Sequence, residues 1–310
     1  MNVVILGGSG LVGRALSADW ANDGHVVTIV CRHPEKVPLI QPIVEVVRWD
    51  GRTAAGWAHL ADGADAVVNL AGETIGGNHL GQIFFQRWSE SKKQRILDSR
   101  VNAGRAVVEA VRAARKKPSM LLQMSAVGYY GPRGEEDLDE GAAAGTDFLA
   151  GVCAEWERST EAVEAMGVRR LVVRTGLVLS LQGGFFPVIL LPFRLFVGGP
   201  LGSGRQGFSW IHAEDHRRAL RFLVENPQAR GVYNVTAPEP VSNAELGRQV
   251  SRALRRPYWF PTPAPLLRLV LGEKATLVLD GQRVVPQRLL EAGFEFRHPT
   301  LGAALANLLR

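Results

Sequence analysis

Cysteine is almost missing from this chain: Cys31 and Cys153 are the only two in 310 residues. That excludes a disulfide scaffold and a thiolate metal site, leaves no metal-ligand spacing, and fits a reducing compartment. Long apolar runs are missing too. The stretch from Phe185 to Val197 is too short to cross a bilayer and contains Pro187, Pro192 and Arg194, so no membrane partner is expected. No low-complexity tract or internal repeat is present, which argues against disorder and against a solenoid. Basic residues exceed acidic ones, 36 to 30, for a net charge of +6, but they are scattered. The densest group, Arg248, Arg252, Arg255 and Arg256, has helical spacing and no interleaved aromatics. A nucleic-acid partner is therefore not expected, and the excess charge suits an anionic cofactor or substrate. With a strand beginning at residue 2, no targeting peptide is expected and a cytoplasmic location is.

What the chain has is glycine in a particular place. Asn2–Leu6 reads as a strand and runs into Gly7-Gly8-Ser9-Gly10-Leu11-Val12-Gly13, after which a helical pattern begins. Gly7 permits a tight turn, Gly10 lets the backbone approach a pyrophosphate, and Gly13 lets helix and strand pack closely. The helix N-terminus then offers free N–H groups to the anion. Strand patterns at Val26–Val30, Ile43–Arg48, Ala66–Leu70, Met120–Ser125 and Arg170–Arg174 alternate with helices near 11–22, 86–114 and 146–166. The expected fold class is α/β, a Rossmann doubly wound parallel sheet. Residues 1–176 form the main part of the dinucleotide-binding domain. Residues 177–310, richer in glycine and proline, form a smaller C-terminal substrate lobe interleaved with it. In that part Phe208–Ile211 and Val232–Val235 look like strands, and 213–225 looks like a helix.

The cofactor type follows from the end of the second strand. NAD-binding folds usually place an acidic side chain there for the ribose hydroxyls. This chain has Cys31-Arg32, and a guanidinium pairs with a 2′-phosphate that a carboxylate would repel, so NADP(H) is expected. Asp50 is placed to receive the adenine amino group. Leu70, Ala71, Gly72 and Glu73 end the fourth strand, where small residues let the cofactor lie against backbone.

Taken together these segments resemble an extended short-chain dehydrogenase/reductase. The glycine-rich opening, Asn69-Leu-Ala-Gly72, Val101-Asn102-Ala-Gly104, Ser125-Ala-Val-Gly-Tyr129-Tyr130-Gly131, Arg174-Thr-Gly-Leu177-Val178 and Trp210-Ile-His212 occur in the family's order. More narrowly, the chain resembles the atypical "epimerase family protein" branch, which is like the NAD-dependent epimerases and dehydratases but carries its own C-terminal segment. Ser99-Arg100, the run Pro200–His212 and Val285–Phe294 carry that likeness. The resemblance implies NADPH binding, a cofactor contact from Arg100, and further cofactor contacts from Leu177 and Val178.

The family's chemistry uses an Asn, a Ser and a Tyr-x-x-x-Lys pair. Asn102 fits the first, but Leu149 and Cys153 stand where the Tyr and Lys belong, and neither can replace them. The remaining candidates for catalysis are Ser125, Tyr129 and Tyr130. Tyr129 and Tyr130, adjacent on a segment read as extended, should face opposite ways. Arg205, Trp210 and His212 are candidates for holding a small, possibly anionic substrate. Two functions follow as expectations: an NADP(H)-dependent oxidoreductase or epimerase on a small molecule, or a non-catalytic NADPH-binding regulator or sensor, of the cell-division kind assigned to some relatives.

Overall fold

The computed structural model describes residues 1–38, 40, 44–76 and 87–309. Thirteen strands appear in it: β1 (Asn2–Leu6), β2 (Val26–Cys31), β3 (Glu45–Arg48), β4 (Ala66–Asn69), β5 (Met120–Ala126), β6 (Asp137–Leu138), β7 (Arg169–Thr175), β8 (Leu177–Leu179), β9 (Gly207–Phe208), β10 (Trp210–His212), β11 (Gly231–Val235), β12 (Val241–Ser242) and β13 (Arg283–Val284). Seven form one parallel sheet in the order β11-β7-β5-β4-β1-β2-β3. This is the Rossmann arrangement. The expected Ile43 start of β3 and residue 86 of the long helix lie outside the described residues.

Side chains alternate across the sheet, as the two-residue period of a strand requires. On β1, Val3 and Ile5 join Leu16 and Trp20 on one face, while Val4 and Leu6 join Ala103 and Val107 on the other. The first face is covered by α1 (Leu11–Asn22) and the second by α2 (Glu90–Ala113), whose buried stripe Ala103, Val107, Ala110 and Val111 has helical period. Ser89 caps α2 by accepting from Lys92 N–H. The segment 146–166, expected as one helix, divides into α3 (Phe148–Arg158), capped by Asp147, and a 3-10 turn at Glu161–Met166.

The remaining helices are α4 (Phe186–Arg194), α5 (Ala213–Glu225), α6 (Asn243–Leu254), α7 (Ala264–Leu271), α8 (Thr276–Leu279), α9 (Gln287–Glu291) and α10 (Leu301–Leu308). The C-terminal half returns to the sheet twice: β11 pairs with β7 at its edge, and α5 packs on α1, where Trp20 Nε1 donates to Glu225 at 3.0 Å. A separate hydrophobic cluster of Phe186, Leu190, Phe193, Trp210, Leu246 and Leu305 packs C-terminal elements together. The expected strand Phe208–Ile211 is interrupted. Gly207–Phe208 pairs antiparallel with Val241–Ser242, and Trp210–His212 pairs parallel with Leu177–Leu179.

Strand order reverses between β1 and β4. In such sheets the crevice outside the carboxyl ends of those two strands takes the ligand. Gly7 and Ala71 stand at that point.

Candidate functional site

Gly7 adopts φ +73°, a conformation that L side chains rarely occupy, and its N–H donates to Val30 O at 2.9 Å. Packing explains three of the four cradle glycines. A β-carbon would lie 2.9 Å from Ala71 N at Gly7, 2.8 Å from the Ile29 side chain at Gly8, and 2.5 Å from Gly8 Cα at Gly13. Gly10 is different. A β-carbon there would meet nothing nearer than Gly7 O at 3.4 Å, and its φ is an ordinary −76°. The protein's own packing therefore leaves space at Gly10, directly at the start of α1. No side chain caps that helix, so its first N–H groups are free for an anion. Leu11 and Val12 open the helix, with Leu11 below the Gly183–Gly184 loop. Ser9 hydrogen-bonds to the Cys31 thiol, whose pKa burial pushes up although backbone at His33 and Ser9 pull it back.

At the adenosine end, Arg32 is exposed and makes no ion pair among the described residues. It runs beside the turn after β3: a β-carbon on Gly51 would be 3.0 Å from Arg32 Cδ. The adenine contact expected of Asp50 meets a carboxylate already holding its own turn. It accepts from Arg52 N at 2.7 Å, Thr53 N at 2.9 Å and Thr53 Oγ1 at 2.7 Å. Partial burial pushes its pKa up, but these bonds outweigh it and hold the carboxyl below the ordinary range.

After β4, Leu70 and Ala71 pack into the two sheet faces and Gly72 lies against Arg100. Arg100 is buried at 7% exposure. Its Nη1 donates to the carbonyls of Glu73 (3.1 Å) and Ile96 (3.0 Å), and its guanidinium stacks 4.9 Å from the Trp156 ring. No carboxylate pairs with it among the described residues; Glu73 itself is engaged by Lys92. Burial pushes the Arg100 pKa down, with weak opposition from Cys153 and Glu73. These carbonyls and the Trp156 face partly satisfy the guanidinium, and a bound anion would balance its buried charge.

Arg100 lines a cavity of about 650 Å³. Its floor is the carboxyl edge of the sheet, Ala126–Gly128 at the end of β5 and Thr175–Leu177 at the end of β7. Its walls come from α3, α4, α6 and α7. Thr175 is the cross-strand partner of Ala126. Its hydroxyl donates to Met124 Sδ at 3.0 Å and lies 3.2 Å from Nε2 of His216, an imidazole whose pKa burial pushes down to about 4 and which is therefore neutral near pH 7.

Beneath the floor lies a buried network. Ser125 Oγ donates to Glu157 at 2.6 Å. Arg174 grips the same carboxylate through Nε and Nη2, each at 2.9 Å, and donates from Nη1 to the Tyr130 hydroxyl at 3.1 Å. Tyr130 in turn donates to Asn234 Oδ1 at 2.7 Å.

The model of the NAD dependent epimerase/dehydratase family matches residues 3–236. The chain belongs to that family. A second model, a domain of unknown function (DUF1731), matches residues 262–308. The epimerase family protein YfhF of Bacillus subtilis is 37% identical over 310 residues, covering 100% of this chain and 98% of its own length. The chloroplastic SDR39U1 homolog of Arabidopsis thaliana is 37% identical over 312 residues, covering 100% and 87%. Among solved structures, the human epimerase family protein SDR39U1 with NADPH superposes with a TM-score of 0.86 at 34% identity, covering 100% of this chain and 99% of that one. The dTDP-glucose 4,6-dehydratase of Streptomyces venezuelae, at 16% identity and a TM-score of 0.79, shares the fold.

Leu149 and Cys153, at the positions where the resemblance would put a Tyr and a Lys, both line the cavity. Cys153 is inert there. Burial pushes its thiol up to about 12, with Arg100 pulling it down and Glu157 adding to the rise, so almost no thiolate exists at neutral pH. Iodoacetamide at pH 8 is expected to leave Cys153 unmodified in the folded protein and to modify it in urea, as peptide mass spectrometry would read. Rapid labelling of the folded chain would contradict this burial.

The hydroxyls expected to move a proton stand elsewhere. Ser125 and Tyr130 are 2% and 0% exposed, lie off the cavity wall, and are spent on Glu157, Arg174 and Asn234. Tyr129 is half-buried and also off the wall, its ring 3.3 Å from the Arg174 guanidinium. The two tyrosines lie not on an extended strand but on a 3-10 turn, Val127–Tyr130, which is why alternation does not describe them. The residues expected to bind substrate are placed as follows. Arg205 is exposed, paired with Glu135 at 2.9 Å, and not among the residues that line the cavity. Trp210 is fully buried in the lobe core and donates to Glu239 O at 3.1 Å. His212 caps α5 by accepting from Glu214 N–H at 3.1 Å. Leu177 lines the cavity, whereas Val178 packs on the sheet core. Sequence reasoning missed Thr175 and His216; the motif Arg174-Thr-Gly contains the first, and nothing local marks the second.

Proposed function

We propose that this chain binds NADP(H) at the β1–α1 cradle and acts as an oxidoreductase on a small molecule held in the adjoining cavity. Gly10 carries the reading: it is the cradle glycine that the protein's own packing does not require, and it adjoins the uncapped start of α1. The dinucleotide, when bound, supplies or accepts a hydride at its nicotinamide. The α1 N–H groups hold the pyrophosphate, and Arg32 pairs with the 2′-phosphate. Arg100 provides a buried cation next to Cys153, and so replaces the family's missing Lys as the positive charge at the cofactor. Ala126 leaves the floor open, and the Thr175 hydroxyl, which donates to Met124 Sδ and lies beside neutral His216, accepts from a substrate hydroxyl there. The NADPH in the human relative supports the choice of cofactor.

A second reading, a non-catalytic NADPH sensor, draws on one observation: Ser125 and Tyr130 are locked in the buried network. Replacing Arg100 with methionine keeps the stem and removes the charge. Equilibrium titration is expected to show NADPH affinity lowered by roughly tenfold or more, the worth of a charge-assisted contact in a buried site. Unchanged affinity would remove Arg100 from the cofactor site. Purified protein that binds NADPH yet oxidises it with no carbonyl or quinone acceptor would favour the sensor.

A further inference from the structure

The cavity's wall has a chemistry of its own. Ile189, Phe193, Phe208, Leu246, Leu267 and Leu271 line it, drawn from α4, β9, α6 and α7. Among the described lining residues the cations are Arg100 and Lys274. Arg100 lies at the cofactor end, and Lys274 already has a partner within the protein. Two carboxylates, Asp147 and Asp280, share the wall. Burial raises the Asp280 pKa, Arg268 opposes this, and the nearby charge of Asp147 adds to it. Such a surface repels phosphate and welcomes a hydroxyl or amine donor.

The mouth continues the same character. Phe260 and Val197 line the cavity while remaining 46% and 43% exposed, and α7 buries no residue at all. Arg205, the cation that the sequence offered for an anionic substrate, is outside and already paired. Among the described lining residues, a nucleoside diphosphate with two charged phosphates finds no cation beyond Arg100 and the already partnered Lys274. A volume of about 650 Å³ with aromatic and aliphatic walls fits a mid-sized organic molecule.

We propose that the site takes an uncharged, largely apolar substrate carrying a hydroxyl or other hydrogen-bond donor, and excludes sugar nucleotides. The inference deepens the oxidoreductase reading and rests on it for where the cofactor lies. The apolar wall binds the substrate body, and Asp147 and Asp280 receive its polar end.

The test uses the full chain loaded with NADP⁺ and N-phenyl-1-naphthylamine, a neutral apolar fluorophore. Its fluorescence is expected to rise saturably, to fall when geraniol is added, and to stay unchanged with UDP-glucose. Leu267 is half-buried and lines the cavity, whereas Leu269 on the same helix is 69% exposed and does not. Leu267→Glu is expected to weaken the fluorophore by about tenfold or more, because a charge must then be desolvated. Leu269→Glu should leave it unchanged, and since neither residue is buried, both variants should fold. Displacement by UDP-glucose, no saturable signal, or equal effects of the two substitutions would each overturn the proposal. Calorimetry with NADP⁺ on the same samples separates the two readings: loss of cofactor binding with fluorophore binding intact counts against the cofactor assignment, not against the cavity's specificity.

Discussion

Replacing Glu157 with alanine is expected to lower the free energy of unfolding by about 3–5 kcal/mol, the cost of removing one partner of a buried ion pair. Glu157 and Arg174 are 8% and 4% exposed, and the carboxylate accepts from Ser125 Oγ and from two guanidinium nitrogens. Burial alone pushes the Arg174 pKa down, but hydrogen bonding and charge from Glu157 outweigh it and hold the guanidinium above its ordinary value. Without Glu157, Arg174 keeps only the Tyr130 hydroxyl and the face of Tyr129, neither of which carries charge. Because its pKa does not fall within reach of neutral pH, the cation stays charged and its burial is uncompensated. The network also joins β5, α3, β7 and β11, so its loss loosens the floor of the cavity rather than one side chain. Urea unfolding measures the effect. A double replacement, Glu157→Met with Arg174→Met, leaves no charge behind and should cost less than Glu157→Ala alone. A loss under about 1 kcal/mol for Glu157→Ala would show that the pair is not the anchor described.

That network also marks the boundary of what could be read from the chain. The cradle was legible because the demands on Gly7 and Gly13 are local: a positive φ in one case, helix against strand in the other. The strands were legible because a parallel sheet buried on both faces needs continuous apolar runs, which β1, β2, β4, β5 and β7 supply. Hydroxyl roles were not. Ser125 meets Glu157 32 residues away, and Tyr130 meets Asn234 104 residues away, so no short window contains either partner. The 3-10 turn at Val127–Tyr130 hides in a segment whose apolar character reads as extended. Phe208–Ile211 reads as one strand because its break depends on a distant partner. Ser209 donates to Gln282 O at 2.8 Å and accepts from Val284 N–H at 2.8 Å, so this residue serves the C-terminal segment between two short pairings. His212 has the look of a ligand, but its Nδ1 accepts from Glu214 N–H two residues away as a helix cap. Arg100 rests on resemblance; among the described residues it is buried with no carboxylate partner, which fits the proposed cofactor contact.

Arg32→Ala is expected to weaken NADPH binding by roughly 10–100-fold while NADH binding stays nearly unchanged, since the substitution removes charge-assisted hydrogen bonds that only the 2′-phosphate accepts. Arg32 is exposed, has no ion-pair partner among the described residues, and lies along the Gly51 turn at the end of β2, where the adenosine ribose approaches in this fold. Neighbouring Arg48 does not substitute for it: its guanidinium pairs with Glu35 at 3.0 Å and donates to Arg32 O at 3.3 Å. Exposure gives the contact a signature that a structural role would lack. An exposed ion pair is screened by salt, so NADPH affinity of the unaltered protein should fall as ionic strength rises, and fall less steeply in Arg32→Ala. NADH, with no 2′-phosphate, should show little difference between the two proteins at any salt concentration. Arg32→Glu sharpens the contrast, because a carboxylate repels the phosphate and can accept from the free ribose hydroxyls of NADH, so the preference should invert. Equal dissociation constants for NADPH and NADH in the unaltered protein, or an Arg32→Ala variant that keeps both affinity and salt dependence, would place the discrimination elsewhere and leave Arg32 an ordinary surface cation.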